Sequence, residues 1–239
     1  MKKTLWIAMV GALVASVVAA SAQEVLSANA VGYIKKTLPA EGKLVAMSIP
    51  LDSMTEADIV FGRTSVANEA PPGTWVYFWD ETAQIWSGGA KSAAGGGRWA
   101  AAQSNHVCLP GEGFFMKGAL TNAGPVDITI TGEVPADASL ARALPGGLRL
   151  GTVANPFPVD FKFGESTLAL DAAPGTWVYF WDETAQIWSG GAKSAAGGGR
   201  WAAAQSNRVV LAGESFFMKD IGTNTVWTNA RPYTWPNND

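Results

Sequence analysis

The chain has 239 residues, 48% hydrophobic and 15% charged, with a net charge of −3, one Cys and one His. So few cations do not make the basic footprint that phosphate-backbone binding needs, which argues against nucleic acid as a partner. One imidazole and one thiol cannot assemble a His/Cys zinc site, a Cys₄ cluster or a Cys-X-X-Cys redox pair, so neither a metal nor a cofactor is expected.

Residues 1–22 read as a signal peptide. Lys2 and Lys3 precede the apolar run Leu5 to Ala19, and Ala20-Ser21-Ala22 has the small-x-small pattern of a cleavage site. The run falls short of the roughly 20 apolar residues a membrane span requires. The expectation is therefore export with cleavage after Ala22 and no membrane anchor, to the periplasm, the cell surface or the exterior. A lone Cys rules out an intramolecular disulfide. Cys108, aligned with Val210 in the repeat described below, reads as a small buried hydrophobe.

Strand signals follow at Val31–Leu38 and Lys43–Ile49, and Ser53–Ile59 could form a helical turn or two. Thr74–Trp79 (TWVYFW) is rich in β-branched and aromatic residues, Asp80–Ala83 is polar, and Gln84–Ser87 resumes a strand, so the segment predicts a hairpin. A four-residue loop places Tyr77 opposite Trp86; a five-residue loop would exchange the faces. Trp75, Tyr77 and Trp79 point one way, Val76 and Phe78 the other, so both faces of this strand are apolar and it should be sandwiched. Ser87–Arg98 (SGGAKSAAGGGR) lacks the Gly-Lys-Ser/Thr order and the strand-to-helix context of a phosphate-cradling loop, and reads as a loop with glycines at special backbone angles. Further strands are expected at Arg98–Ala102, His106–Leu109, Phe114–Lys117 and Val126–Thr131, with a turn at Pro110–Gly113.

The string from Pro72 to Asn105 recurs without a mismatch from Pro174 to Asn207, and LPGEGFFMK (109–117) is matched by LAGESFFMK (211–219). Such identity exceeds what packing demands and marks recent copying. The expected organisation is a signal peptide at 1–22, a β repeat unit at 23–125 and a second at 126–239. The short strands separated by Gly/Pro turns predict an all-β chain, each unit a sandwich or barrel-like fold.

The runs NAVGYIKKTLP (29–39) and PPGTWVYFWD (71–80), with Gly97-Arg98-Trp99 and LPGEGFFMK, resemble a family of exported tandem-repeat β proteins from planctomycete and verrucomicrobial lineages. The resemblance covers most of the chain after residue 22. It implies export and repetition, and it brings no catalytic residue.

A hydrolytic triad lacks its base, since the single His106 is replaced by Arg208 in the copy. The carboxylates Asp80, Glu81, Glu112 and their copies lie at turns, where solvated acids are ordinary. The chain is accordingly expected to be no enzyme. Its chemistry lies in its indoles, eight of them in the copied blocks. Such clusters build a core or line a binding face. Trp86, Trp99, Trp188 and Trp201, with Gln84, Gln186, Asn105 and Asn207 as polar neighbours, are the candidate binding residues. The expected role is a secreted or cell-envelope structural or interaction protein that meets cell-surface components or itself. The alternative is a carbohydrate-binding module using exposed Trp on each repeat, where two equal sites would give avidity.

Overall fold

The computed structural model describes residues 30–234, apart from 41, 95, 121–123, 197–198 and 223–224. The predicted leader at 1–22 lies outside the described residues. Sixteen strands and four short helices make the described chain mainly β, as composition and periodicity predict.

The first repeat runs β1 (Val31–Leu38), β2 (Leu44–Ser48), β3 (Ile59–Val60), β4 (Trp75–Asp80), β5 (Ile85–Ala90), β6 (Val107–Cys108), β7 (Gly113–Lys117) and β8 (Val126–Glu133). The second repeats the order as β9 (Ser139–Ala143), β10 (Leu150–Ala154), β11 (Phe161–Lys162), β12 (Trp177–Asp182), β13 (Ile187–Ala192), β14 (Val209–Val210), β15 (Ser215–Lys219) and β16 (Val226–Ala230). Each repeat has an antiparallel four-stranded sheet, β2-β7-β4-β5 or β10-β15-β12-β13, and two antiparallel pairs, β1-β8 and β3-β6 or β9-β16 and β11-β14. The four-stranded sheets end at β5 and β13, so neither repeat is a closed barrel. β8 pairs with β1 along its whole length, Val31 opposite Glu133 and Leu38 opposite Val126, so by strand pairing Val126–Glu133 belongs with the first repeat.

Alternation along the strands decides what is inside. Val76 and Phe78 of β4, Val45 and Met47 of β2, and Phe114 and Met116 of β7 turn to one face, where they meet Leu38, Ile128 and Ile130 from the β1-β8 pair. Phe61 sits fully buried among them, edge-on to Phe78, Trp99 and Phe114 at 5.2, 5.3 and 5.7 Å. Edge-to-face pairs add about 0.5–1.5 kcal/mol each beyond area burial. The second repeat builds the same core around Phe163. Cys108 is buried in the first core, and burial raises its thiol pKa well above the usual value.

Three expectations fail locally. Ser53–Ile59 is not helical. The helix comes later, at Ser65–Glu69, where the Thr64 side chain accepts from the Ala67 N–H and satisfies an orphan donor. Arg98–Ala102 is no strand either, because the alanine-rich segment closes a helical turn at Ala101–Ser104. The hairpin loop is four residues long but spans 81–84, one place later than predicted. Trp79 rather than Tyr77 therefore faces Trp86, and the faces are unchanged.

Candidate functional site

The outward face of each four-stranded sheet carries more aromatic rings than its inward face. In the first repeat Trp75, Tyr77 and Trp79 of β4, Trp86 of β5 and Phe115 of β7 share this side, and the identical block repeats the set at Trp177, Tyr179, Trp181, Trp188 and Phe217. The two sets meet. Phe115 and Phe217 stack at 6.4 Å with planes 21° apart, and Ala46, Trp181 and the half-buried Leu44, Tyr77, Trp79, Leu150 and Tyr179 close around them.

Polar contacts fix this junction reciprocally. Trp79 Nε1 donates to Leu150 O at 2.8 Å, and Trp181 Nε1 donates to Leu44 O at 3.1 Å. Gln84 donates through Nε2 to Leu150 O at 3.0 Å and accepts from Leu150 N at 2.8 Å, so its amide pairs like a strand residue with the edge of the other repeat. Gln186 treats Leu44 in the same way, at 2.9 and 2.7 Å. Both glutamines reach this position through a left-handed backbone, φ 58° and 57°. The aspartate that opens each loop shapes the turn, Asp80 Oδ1 accepting from Thr82 N and Ala83 N and Asp182 Oδ1 from Thr184 N and Ala185 N. Ser48 N donates to Gly213 O and Ala154 N to Gly111 O. Contacts in which i meets j and j meets i define an isologous junction, hence an approximate twofold axis between the repeats.

Twin clefts open beside that axis. The first, about 410 Å³, is lined by Gly42, Leu44, Tyr77, Phe115, Lys117, Trp181 and Gln186 together with Trp86 and Trp188. The second, about 310 Å³, is lined by Trp79, Leu150, Tyr179 and Phe217 with the same two indoles. Trp86 and Trp188 are thus a shared wall, each 42% exposed. Trp75 and Trp177, 41% and 42% exposed, lie nearly parallel to Tyr77 and Tyr179 at centroid distances of 5.9 Å and angles of 12° and 11°. The glycines of IWSGGA make room here: a Cβ on Gly88, which faces Tyr77 across the hairpin, would lie 2.4 Å from that ring.

The structure separates the expected binding residues into three groups. Trp86, Trp188, Gln84 and Gln186 come together at the clefts and the junction. Trp99 and Trp201 go to the cores, their Nε1 atoms donating to Ala67 O and Ala169 O at 2.9 Å, edge-on to Phe61 and Phe163. Asn105 and Asn207 are exposed and close the short helices beginning at Ala101 and Ala203. Sequence reasoning assigned Trp75, Tyr77 and Trp79 to a sandwiched strand and overlooked Phe115, Lys117 and Phe217 as cleft residues. The signal was present in TWVYFW, where every second residue is aromatic.

Glu112, Glu214 and Glu81 have partners within the fold. Glu112 accepts from Leu109 N and pairs with His106 at 3.0 Å, where Glu214 accepts from Leu211 N and pairs with Arg208. His106 stacks on Phe78 at 3.7 Å and Arg208 lies over Phe180 at 5.6 Å, so the substitution keeps a flat, polar ring-stacking group. Glu81 pairs with Arg142 and accepts from Thr152 N; burial raises its pKa, and Arg142 only partly opposes this. Burial likewise raises Glu183, against the field of Lys36, which stands where Arg142 stands for Glu81.

Lys91, dismissed above as a phosphate ligand, has a structural task. Its buried Nζ donates to Ala67 O, Asn68 O and Ala70 O at 2.9, 2.8 and 2.7 Å, closing the C-terminal end of the Ser65–Glu69 helix, and Lys193 repeats this. Comparison with family models, curated proteins and solved structures finds no match to this chain.

Proposed function

We propose that the protein is an exported, non-enzymatic interaction module of the cell envelope or exterior, and that its aromatic groove binds polysaccharide. The observation that carries this reading is the set of four partly exposed indoles at twofold-related positions, Trp86 and Trp188 lining both clefts and Trp75 and Trp177 stacked on the cleft residues Tyr77 and Tyr179. An exposed indole is costly for a fold that has sheltered Trp99 and Trp201. Sugar rings present apolar C–H faces that stack on such indoles, and the shared Trp86–Trp188 wall makes one groove of two half-sites.

The test is retention of purified protein on insoluble polysaccharides and quenching of its Trp emission by soluble oligosaccharides. Trp86→Ala is expected to weaken binding at both half-sites, by about tenfold or more for the loss of one stacking platform. Unchanged retention by Trp86→Ala and Trp188→Ala, with the fold intact by circular dichroism, would remove the reading. A second reading, assembly into a surface layer, draws on the exposed sheet-terminating strands β5 and β13, with Ile85 and Ile187 59% and 58% exposed. It requires concentration-dependent association in sedimentation experiments.

A further inference from the structure

The clefts are walled by aromatic rings, and one lysine of each four-stranded sheet stands on the same outward face. Lys117 lines the first cleft with its Cε beside the Gly42 backbone, and in the sheet it stands opposite Leu44 on one side and Trp75 on the other. Lys219 holds the matching place opposite Leu150 and Trp177. Neither forms an ion pair with a described residue, in a chain whose net charge is negative. Several other cations are neutralised or enclosed: Lys35 by Asp127, Arg142 by Glu81, Arg208 by Glu214, and Lys91 and Lys193 by backbone carbonyls. At the hairpin tips Asp80 and Asp182 are engaged by loop N–H groups and Glu81 by Arg142, while Glu183 lies in the field of Lys36.

We propose that the occupant of the groove is an acidic polysaccharide, its sugar rings on the Trp75/Tyr77, Trp86/Trp188 and Trp177/Tyr179 surfaces and its anionic groups meeting Lys117 and Lys219. This rests on the polysaccharide reading of the same groove and adds the charge of the ligand. An anionic substituent projects from the edge of a sugar ring while the ring face lies on an indole, so a cation at the margin of an aromatic floor is in the place to receive it. The ammonium of a lysine acts there as a point charge on a flexible stem and tolerates either a carboxylate or a sulfate ester.

The experiment titrates the full chain by Trp fluorescence with alginate oligomers and with the same oligomers after their carboxyls are reduced to alcohols. Dextran sulfate against dextran forms a second arm. At low salt the anionic member of at least one pair should bind about fivefold more tightly or better. That advantage should vanish in 1 M salt, where screening acts within about 3 Å, and in the double variant Lys117→Gln/Lys219→Gln. An advantage for alginate assigns a carboxylate, and one for dextran sulfate alone assigns a sulfate. Equal binding of both members in both arms, or an advantage untouched by the lysine substitutions, overturns the charge inference. The polysaccharide reading then survives only if Trp86→Ala still weakens binding about tenfold or more. Absence of binding to all four probes overturns both.

Discussion

Copied threonines show how one neighbouring residue decides the worth of a buried hydroxyl. Thr74 and Thr176 are both fully buried at the same place in the two repeats. Thr176 Oγ1 donates to Asp220 Oδ1 at 2.9 Å, whereas Thr74 Oγ1 has no partner among the described residues, because Gly118 stands where the second repeat has Asp220. Burial tends to raise the Asp220 pKa, but hydrogen bonds from Thr225, Gly222, Thr176 and Ile221 outweigh it and leave the group below its ordinary value. A carboxyl depressed in the folded state stabilises the fold above its unfolded pKa, and that contribution is lost as pH falls through the folded value. Replacing an unpartnered hydroxyl by a methyl of the same shape is close to neutral, while removing one partner of a buried pair costs roughly 1–3 kcal/mol. Thr74→Val is therefore expected to match or exceed the parent in urea unfolding at neutral pH. Thr176→Val should lose about 2 kcal/mol and show a shallower fall in stability on acidification, because less of the Asp220 contribution remains to be lost. Equal losses in the two variants would refute this account.

At the scale of elements, the Gly-rich segment acts as a strap. Lys91 reaches three carbonyls at the end of the Ser65–Glu69 helix, and Trp99 donates to one of the same carbonyls, Ala67 O. Burial lowers the Lys91 pKa, yet three acceptors hold its ammonium in place. Lys91→Met should cost about 2–3 kcal/mol, because it strips charge-assisted bonds from buried acceptors, and should shift Trp99 emission. An unaltered midpoint would show the strap to be incidental. None of this was legible in SGGAKSAAGGGRW, since the acceptors lie 21 to 24 residues upstream and no local period links them. The strands were legible because alternation is a local property: TWVYFW already fixes which side chains share a face. Register was less so, because the loop starts one residue late, a shift that follows from the left-handed turn at Gln84. Trp99 and Trp86 looked alike in sequence. Their fates diverge because one indole finds a carbonyl in its own core and the other lies beyond the hairpin tip, against the second repeat.

For the whole molecule the decisive question is whether the repeats unfold together. Their own cores are separate, and they are joined by the ring cluster around Phe115 and Phe217, with hydrogen bonds from Gln84, Gln186, Trp79 and Trp181 at its sides. Phe114 and Phe115 are adjacent and almost equally buried, 1% and 4% exposed, but Phe114 faces the core of the first repeat and Phe115 faces the junction. Deleting either ring should cost about 3–5 kcal/mol, so stability alone cannot distinguish their roles. Cooperativity can. Phe114→Ala weakens one repeat while leaving the coupling intact, and is expected to melt in a single transition with calorimetric and van't Hoff enthalpies in agreement. Phe115→Ala opens a cavity on the twofold axis, and with Phe217→Ala it removes the stacked pair itself. The double variant is expected to melt in two steps, the repeats then unfolding as independent units. Because the same rings floor the clefts, uncoupling should also weaken any ligand that spans both half-sites more than one confined to a single cleft. A single sharp transition in Phe115→Ala/Phe217→Ala would show that the reciprocal hydrogen bonds at the hairpin tips suffice to hold the repeats together.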